Sequence, residues 1–589
     1  MTKIQDKISS IMVVLVISKI LGFLKMTLIA QLFGTSRELD IFWAAFTIPD
    51  TIFNILVAGA VNAAIIPVFS NVFHKNGEEE LNILYNRLNV IFIIAFFAFS
   101  LTFFIFAPSI GRFLIGSNAL QTYLGTGGSI NPQEVELFTQ LMRVMLISPL
   151  LLGISSLISA YLQVRKSFFV TSLAPLAYNM AMIVVSVIFV KYFHFNVMGI
   201  AISVVVGSLL HLISQLPALY KFIKYPKGDG LLVSNLKQYI NKETFAVLKL
   251  AFPRMIGLIG EQVNTVINTV ISFTLSAGSL SAYKFAFSLH LFPVQIFSGA
   301  VSQVALSNMS EYAAKNDTKN FELTFNKAIK QTLFLILPVI AVLLVLRLPI
   351  VRLVYGLESW WGTVITSWSL ALLTIAIVAQ SIVLITLRAF YAMHETKLPL
   401  IATGVAIVVN IVASYYFTNF FSHYFDWRPI ITQIWTQLTT FDNVGFFEAI
   451  RSLGSDLVKW FSTRNNSDAA VGGLALATSF ACLAEMIVSL MLINKKVKVF
   501  SYTRTIKPIL PIFLNATLMT LGMYFIFKLS DFNLDTSRTV YVITLVAVTT
   551  LYGMISFALG CVVFKIEEFD MILNRIKEYT SQFLKRFIK

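Results

Sequence analysis

The chain is poor in charged residues. Only 13% of its 589 residues are Asp, Glu, Lys or Arg, whereas 57% are hydrophobic. Soluble domains carry about 25% charged residues, so this composition excludes a string of soluble domains. Cysteine is also scarce: Cys482 and Cys561 lie in separate apolar stretches without the spacing of metal ligands. We expect both to pack as small apolar side chains.

The motifs of several enzyme classes are missing. No glycine-rich nucleotide-binding loop occurs, which argues against ATP-driven transport by this chain. The six histidines form no HExxH pattern or comparable cluster, and no GxSxG nucleophile motif is present. We therefore expect neither an enzyme nor a resident cofactor or metal.

Long apolar runs are what the chain has in abundance, and they predict an all-α polytopic membrane protein. Lys3 and Lys7 precede the first run with no small-residue cleavage site after it, so we expect this run to be retained as an anchor helix. The criterion of about twenty residues per crossing gives about fourteen spans, at residues 8–34, 39–70, 88–115, 137–163, 168–193, 196–222, 245–276, 280–308, 327–348, 361–393, 397–421, 469–494, 508–528 and 539–564.

The net charge of +16 is concentrated in alternate loops. Lys and Arg cluster at 165–166, 221–249, 315–330, 495–507 and after Phe564, whereas loops such as 277–281 have none. This positive-inside pattern predicts that both termini lie in the cytoplasm. It also accounts for the basic charge without a nucleic-acid partner.

Short motifs recur between the first six spans and the next six. Gly59-Ala60-Val61 returns as Gly299-Ala300-Val301, and Gly199-Ile200-Ala201 returns as Gly473-Leu474-Ala475. Two copies of six spans share one orientation, which predicts two lobes related by a pseudo-twofold axis along the membrane normal. The predicted domains are an N-lobe (1–224), a C-lobe (225–494) with an amphipathic insertion (422–467) on the outer face, two further spans (495–564) and an amphipathic basic tail (565–589) on the cytoplasmic leaflet.

Charged residues inside the first two spans are candidate functional residues. Lys19 and Lys25 lie in the first span, and Asp40 lies at the start of the second. A charge at bilayer depth is expensive and usually faces a partner or a water-filled cavity. Two such cations predict a cavity for an anion. The alternative is that both lysines snorkel to opposite membrane faces.

Two later cations are further candidates. Arg254 lies early in the seventh span, and Glu261 follows on the same helix face about two turns later. Arg254 therefore either faces the cleft or is compensated by Glu261. Lys284 lies near the outer end of the eighth span, the repeat counterpart of the second. It either snorkels to the membrane surface or faces the cleft between the lobes, and we favour the cleft.

The opening of the chain resembles that of the MurJ (MviN) lipid II flippases. The resemblance rests on Ser18 to Lys25 (SKILGFLK), then Phe33-Gly34, Asp40, Pro49 and Gly59-Ala60. Pro253-Arg254, Ser276 to Ser279 and Gly473 to Ser479 extend it over the fourteen spans, the insertion excepted. That family shares a superfamily with the MATE exporters and the polysaccharide flippases.

The resemblance implies a flippase that moves undecaprenyl-pyrophosphate-linked disaccharide-pentapeptide across the bacterial cytoplasmic membrane by alternating access. In the family, cations of spans one, two and eight line the cleft, and Lys19, Lys25 and Asp40 match family positions. Phe53 and Ser288 stand where arginines are usual, and Lys284 precedes Ser288 by one helical turn. Lysine lacks the bidentate fork that suits phosphate but remains a point charge.

Some members of the family bind sodium between spans seven, eleven and twelve. The matching positions here are Asn268, Asn410, Ser414 and Thr478. They lack the carboxylates that a hard cation prefers, which argues against a sodium site.

The expected partners are the lipid-linked glycan and membrane lipids, with the chain acting as a monomer. Contacts with other cell-wall synthesis proteins are left open. Two alternatives also remain open: an exporter of another polyprenyl-linked glycan, and a non-transporting scaffold for envelope synthesis.

Overall fold

The computed structural model describes residues 2–58, 65–116, 131–222, 242–440, 443–465, 467–499, 505–571 and 573–574. Within these ranges the chain forms helices and turns, with no strand. Thirteen of the predicted spans are confirmed as helices long and apolar enough to cross a membrane. The remaining one, the seventh, corresponds to a 32-residue helix, Lys242–Phe273. The all-α polytopic fold is therefore confirmed.

Residue contacts divide the chain into two compact units, Met1–Ser281 and Ala282–Lys589. The described helices that begin in the first unit are α1 (Thr2–Phe33), α2 (Arg37–Phe53), α3 (Ile66–Asn76), α4 (Glu78–Gly116), α5 (Pro132–Met145), α6 (Ile147–Val164), α7 (Phe168–Val187), α8 (Asn196–Ile213), α9 (Leu216–Phe222), α10 (Lys242–Phe273) and α11 (Ser279–Pro293).

The second unit contains the rest of α11 and ten further described helices. These are α12 (Gly299–Ala314), α13 (Thr318–Val345), α14 (Arg347–Tyr355), α15 (Trp360–Ala392), α16 (Lys397–Ser422), α17 (Tyr424–Thr439), α18 (Asn443–Ser462), α19 (Ala470–Val497), α20 (Lys507–Asn533) and α21 (Thr539–Val563). The core that joins α13, α15, α20 and α21 is built from buried residues such as Phe325, Phe390, Met519 and Leu545.

The start of α2 is stabilised by a helix cap and by an ion pair with a residue distant in sequence. Ser36 caps the helix by accepting a hydrogen bond from the Leu39 N–H. Arg37 then forms a bidentate pair with Glu134 in the first turn of α5, at 3.1 and 2.9 Å. Its guanidinium also lies 4.4 Å from the ring centroid of Phe273 in α10. These contacts hold α2 against α5 and α10.

The residues that directly precede the first pair of repeated motifs have similar local structures in the two units. A π-helical segment, Asn54–Ala58, directly precedes Gly59, and another, Val294–Ser298, directly precedes Gly299. Such segments interrupt the regular hydrogen-bond ladder and often occur at functional positions. The second and eighth spans therefore break at the same place relative to the repeat.

The second pair of motifs also has a shared role, which is close helix packing. A Cβ at Gly473 would lie 2.4 Å from the carbonyl carbon of Phe417, in the preceding span. A Cβ at Gly199 would lie 3.1 Å from the Cβ of Phe189, again in the preceding span. Both glycines thus allow one span to approach the span before it, which supports the internal repeat.

The compact units and the predicted lobes divide at different positions. By contacts, α10 belongs with the first unit, which ends at Ser281. By the repeat, the same helix opens the C-lobe at 225–494. The lobe boundaries, including 1–224 and 495–564, stay predictions. Of the predicted tail 565–589, residue 572 and residues 575–589 lie outside the described part of the chain.

The insertion at 422–467 contains two helices, α17 and α18, where the apolar pattern predicted an amphipathic segment at 446–461. It is anchored at its C-terminal end by Arg464, which donates to Asn419 Oδ1 at 3.1 Å and to Thr418 Oγ1 at 2.6 Å. At its N-terminal end, His423 bonds Asp426 at 2.6 Å. Burial lowers the pKa of Arg464 to about 10, so this anchor stays charged at neutral pH.

Candidate functional site

Lys25 is held in the first unit by residues of α7. Its ammonium lies 3.3 Å from Asn179 Oδ1 and 5.3 Å from the ring centroid of Tyr178. The amide nitrogen of Asn179 in turn donates to the carbonyl of Ser18, at 3.2 Å, about two turns earlier on α1. A single asparagine therefore ties the lysine to its own helix and to α7. This arrangement orients the ammonium within the span instead of leaving it to snorkel freely.

A carboxylate lies near this lysine. The ammonium of Lys25 and the hydroxyl of Tyr178 both interact electrostatically with Asp50 in α2. One carboxylate oxygen of Asp50 accepts a hydrogen bond from Asn54, at 3.0 Å. Lys25 therefore contacts Asn179 and Tyr178 of α7, and it feels the charge of Asp50, which is bonded to Asn54. These five residues form one polar set. We call it the Lys25 cluster.

Lys19 does not share the position of Lys25. Six residues of α-helix rotate a side chain by about 240° from Lys19 to Lys25, so the two point to different sides of α1. Lys19 is exposed, whereas Lys25 is half-buried. The first unit therefore presents one lysine within a polar cluster and one on its surface.

Asp40 has a different environment from the one expected of a substrate ligand. It is 1% exposed, and it accepts hydrogen bonds from the N–H groups of Gly278 and Ser281 at 2.7 Å each and from the Ser281 hydroxyl at 2.6 Å. These are the donors of the first turn of α11, which a helix cannot satisfy by itself. Asp40 is thus a cap of that turn. Its predicted contact with substrate stays a prediction that this burial does not favour.

The candidates on α11 lie on one face of the helix. Lys284 and Ser288 are four residues apart, so they are neighbours along the surface of α11, and both are half-buried. Next to them, the hydroxyl of Tyr355 donates to the carbonyl of Phe285, at 2.7 Å. This geometry is compatible with Lys284 serving in place of an arginine at 288. The side chains of Arg254 and Glu261 lie outside the described residues.

The positions that match the family's sodium ligands supply hydroxyls and amides. Asn410 and Ser414 are buried on one face of α16, and Thr478 on the neighbouring α19 bonds the hydroxyl of Tyr283, at 3.0 Å. Asn268 is buried in the first unit. Within the described residues, no group of three or more His, Cys, Asp or Glu side chains could hold a metal ion.

Comparison with known proteins identifies the family. The family model described as "Lipid II flippase MurJ" matches residues 29–425. This chain belongs to the MurJ family. It is 30% identical over 421 residues to a "Probable lipid II flippase MurJ" of Buchnera aphidicola subsp. Acyrthosiphon pisum, covering 70% of this chain and 78% of that protein. It is 25% identical over 410 residues to the "Lipid II flippase MurJ" of Burkholderia cenocepacia, covering 69% and 77% respectively.

Solved structures agree at the level of the fold. A structure titled "Lipid II flippase MurJ, inward closed conformation" matches with a TM-score of 0.69 and 23% identity, over 94% of this chain and 98% of that chain. An inward-facing MATE family transporter of the MOP superfamily matches with a TM-score of 0.60 and 14% identity, over 82% and 94%. The MATE-like fold of this MurJ-family protein is therefore confirmed, and the family is one of transporters.

The sequence prediction selected only Lys25 and missed the other four members of the Lys25 cluster, Asp50, Asn54, Tyr178 and Asn179. Asn179 and Tyr178 lie in the fifth span, in the run Ala177 to Met182, where an amide inside an apolar stretch was a usable signal. Asp50 follows Pro49 in the second span and is a charge within a span, the same criterion that selected Lys25. The contact between Lys25 and Asn179 could not be predicted from the sequence, because the two residues are 154 positions apart.

Proposed function

We propose that this chain is a flippase that moves lipid II, the undecaprenyl-pyrophosphate-linked disaccharide-pentapeptide, from the inner to the outer leaflet. Membership of the MurJ family and the names of its relatives support this substrate. The observation that carries the proposal is the Lys25 cluster, in which an ammonium is held inside a span at 3.3 Å from Asn179. A fixed cation at bilayer depth suits a diphosphate better than it suits an apolar or cationic cargo.

In this mechanism Lys25 receives the diphosphate, with Lys19 and Lys284 as further cations. Asp50 offsets the charge of Lys25 in the absence of substrate, which lowers the free energy of a cation inside the span. The diphosphate carries more negative charge than one carboxylate, so it competes for the ammonium, and Asn54 remains as a partner for Asp50. Tyr178 and Asn179 keep the ammonium oriented during this exchange.

Transport proceeds by alternating access of the two repeat-related lobes and uses the membrane potential. An inside-negative potential favours outward movement of an anionic headgroup by about 2.3 kcal/mol per charge per 100 mV. This supplies a driving force without ATP. The polyprenyl chain stays in the lipid throughout, because its transfer out of hydrocarbon is unfavourable.

The protein acts as a monomer in the bacterial cytoplasmic membrane, with both termini in the cytoplasm, and it carries out no covalent chemistry. The concentration of Lys and Arg in alternate loops supports this orientation. The same orientation puts the α17–α18 insertion on the outer side, where the headgroup is released.

The test is complementation in cells depleted of their native lipid II flippase. Lys19→Ala combined with Lys25→Ala should abolish growth and lipid II flipping, because the double variant loses the cation of the Lys25 cluster and the second cation on the surface of α1. Lys25→Arg should retain activity, since a guanidinium keeps the charge and adds a bidentate fork. Lys75→Ala removes an exposed lysine at the end of α3 and should behave as wild type.

Full complementation by the double variant, at normal membrane abundance, would contradict the cationic site. If wild-type protein supports growth only when another polyprenyl-linked glycan is the cargo, the fold and mechanism stand and the substrate is that other glycan. A further variant replaces Thr51, which bonds Gln262 of α10 at 3.3 Å, with a cysteine that a bulky thiol reagent can modify. If the modified variant is as active as the unmodified one, the chain acts as a scaffold.

A further inference from the structure

A pocket at one end of the second unit combines positive charge with an aromatic rim. It has a volume of about 440 Å³, and it is lined by residues from the end of α13, from α14, from the last turns of α20 and from the start of α21. Because α13, α20 and α21 are spans, the ends of these helices lie at the boundary between hydrocarbon and water. The pocket is distant in sequence from every residue of the Lys25 cluster.

Three cations and one carboxylate line the pocket: Arg347, Arg352, Lys528 and Asp531. Arg347 donates one hydrogen bond to the Leu344 carbonyl, at 3.0 Å. A guanidinium has five N–H donors, so this residue keeps donors for a ligand. Among the described residues, no hydrogen bond or ion pair engages Lys528. The lining therefore carries a net positive charge that its own contacts do not neutralise.

Arg352 holds one side of the pocket in place through two hydrogen bonds. It donates to the carbonyl of Thr536 at 2.5 Å and to that of Ser537 at 2.8 Å, and so ties α14 to the turn between α20 and α21. The same residue lines an adjoining recess of about 500 Å³ that is also lined by Glu358, Thr363, Thr536 and Ser537. That recess offers a carboxylate and three hydroxyls, which suit the hydroxyl groups of a ligand and oppose a second anion.

The rim of the pocket indicates a ligand that comes from the bilayer. Trp360 and Tyr524 line it while remaining 58% and 50% exposed, as is typical of aromatic residues at a membrane interface. Next to Tyr524 and Lys528 on α20, Phe525 and Leu529 are exposed apolar residues. An acyl chain can lie on this surface while a phosphate enters the pocket, whereas a free phosphate would gain nothing from it.

We propose that this pocket binds the phosphate of an anionic lipid that carries one phosphodiester and a hydroxyl-bearing headgroup. The phosphate contacts Arg347 and Lys528, and the headgroup hydroxyls occupy the recess beside Glu358. Basic pockets between membrane helices are known to recognise lipid phosphates in this way. With the termini in the cytoplasm, this end of the unit faces the outer leaflet, so the lipid is one of that leaflet.

Native mass spectrometry of the detergent-solubilised full chain tests this proposal, with phosphatidylglycerol and phosphatidylcholine of identical acyl chains as probes. Wild-type protein should retain phosphatidylglycerol at least about tenfold better, because only that lipid lacks a cation to oppose the pocket's charge. R347Q combined with K528Q should remove the preference. D531N should increase it, because a repelling carboxylate is lost.

The matched control is R538Q, which removes a cation from the same turn but not from the pocket lining. It should leave the preference unchanged. Equal retention of the two lipids by the wild type, or equal losses in R538Q and R347Q/K528Q, overturns the proposal. Displacement of the lipid by millimolar inorganic phosphate shows that the ligand is free phosphate instead. If the double variant does not fold, K528Q alone and D531N decide, since they should shift the preference in opposite directions.

Discussion

At the scale of single residues, the structure separates two kinds of intramembrane charge. Lys25 is half-buried and contacts the polar side chains of Tyr178 and Asn179, and the proposed function uses its charge to bind an anionic ligand. Asp40 is buried and accepts three hydrogen bonds, so its charge is committed to the start of α11. The same sequence criterion, a charge in a span, selected both. Their environments give them different roles.

Asp40→Ala should destabilise the protein, because it leaves two buried N–H groups and a hydroxyl of the α11 turn without an acceptor. We expect a loss of about 2–4 kcal/mol, measured as a lower unfolding midpoint of purified protein in detergent. Asp40→Asn should lose less, since its amide oxygen still accepts from one donor group.

Glu38→Ala is the control for Asp40→Ala, because Glu38 is exposed on the same turn of α2 and should have little effect on the midpoint. A stable Asp40→Ala protein that no longer transports would contradict the capping role and restore Asp40 as a substrate ligand. Loss of stability with proportionate loss of transport would support the cap.

The limits of prediction from the sequence follow from distance along the chain. The spans could be predicted because each is a continuous run of apolar residues, and thirteen of these runs form apolar helices. The capping role of Asp40 could not be predicted from the sequence, because its partner Gly278 lies 238 residues away. Lys25 was identified as a charge inside a span, but Asn179 becomes its neighbour only through the packing of α1 against α7.

At the scale of elements, the two-helix insertion packs part of its apolar surface against the protein itself. Trp460 is buried and Trp427 stacks on Phe420 at 5.4 Å, so part of the apolar face packs against the end of α16. Phe447 and Val458 remain exposed and suit a membrane interface. The sequence pattern predicted the α18 face but not its division between these two surroundings. That division depends on α17, which the pattern did not identify.

Arg464→Ala should loosen this insertion without unfolding the spans. The guanidinium bonds Asn419 and Thr418 at the end of α16, and hydrogen bonds to a charged group contribute about 1.5–3 kcal/mol. Amide hydrogen exchange in α18 should therefore rise by about tenfold or more, whereas exchange in α16 before Asn410 should not change.

Arg451→Ala serves as the comparison, because Arg451 is an exposed cation on α18 and its loss should leave exchange unaltered. Unchanged exchange in Arg464→Ala would mean that the apolar contacts of Trp460 and Phe420 hold the insertion by themselves.

At the scale of the whole molecule, the proposed coupling of transport to the membrane potential rests on which charges the chain contains. The positions that match the family's sodium ligands, Asn268, Asn410, Ser414 and Thr478, carry no carboxylate, and Asn410 and Ser414 are buried in α16. A sodium ion held there would lose more hydration than hydroxyls and amides restore. The anionic headgroup of the proposed cargo, in contrast, responds to a membrane potential directly.

Lipid II flipping in proteoliposomes should therefore depend on the potential and not on sodium. Collapsing an imposed inside-negative potential of 100 mV removes about 2.3 kcal/mol per transported charge, which corresponds to a roughly fiftyfold change in the outward-to-inward ratio. Replacing sodium by choline at constant potential should change nothing, and the ratio should be read by access of the labelled headgroup to an external reagent. Sodium dependence that disappears in Ser414→Ala would overturn this prediction, because it would show that neutral ligands of α16 suffice to hold the coupling ion.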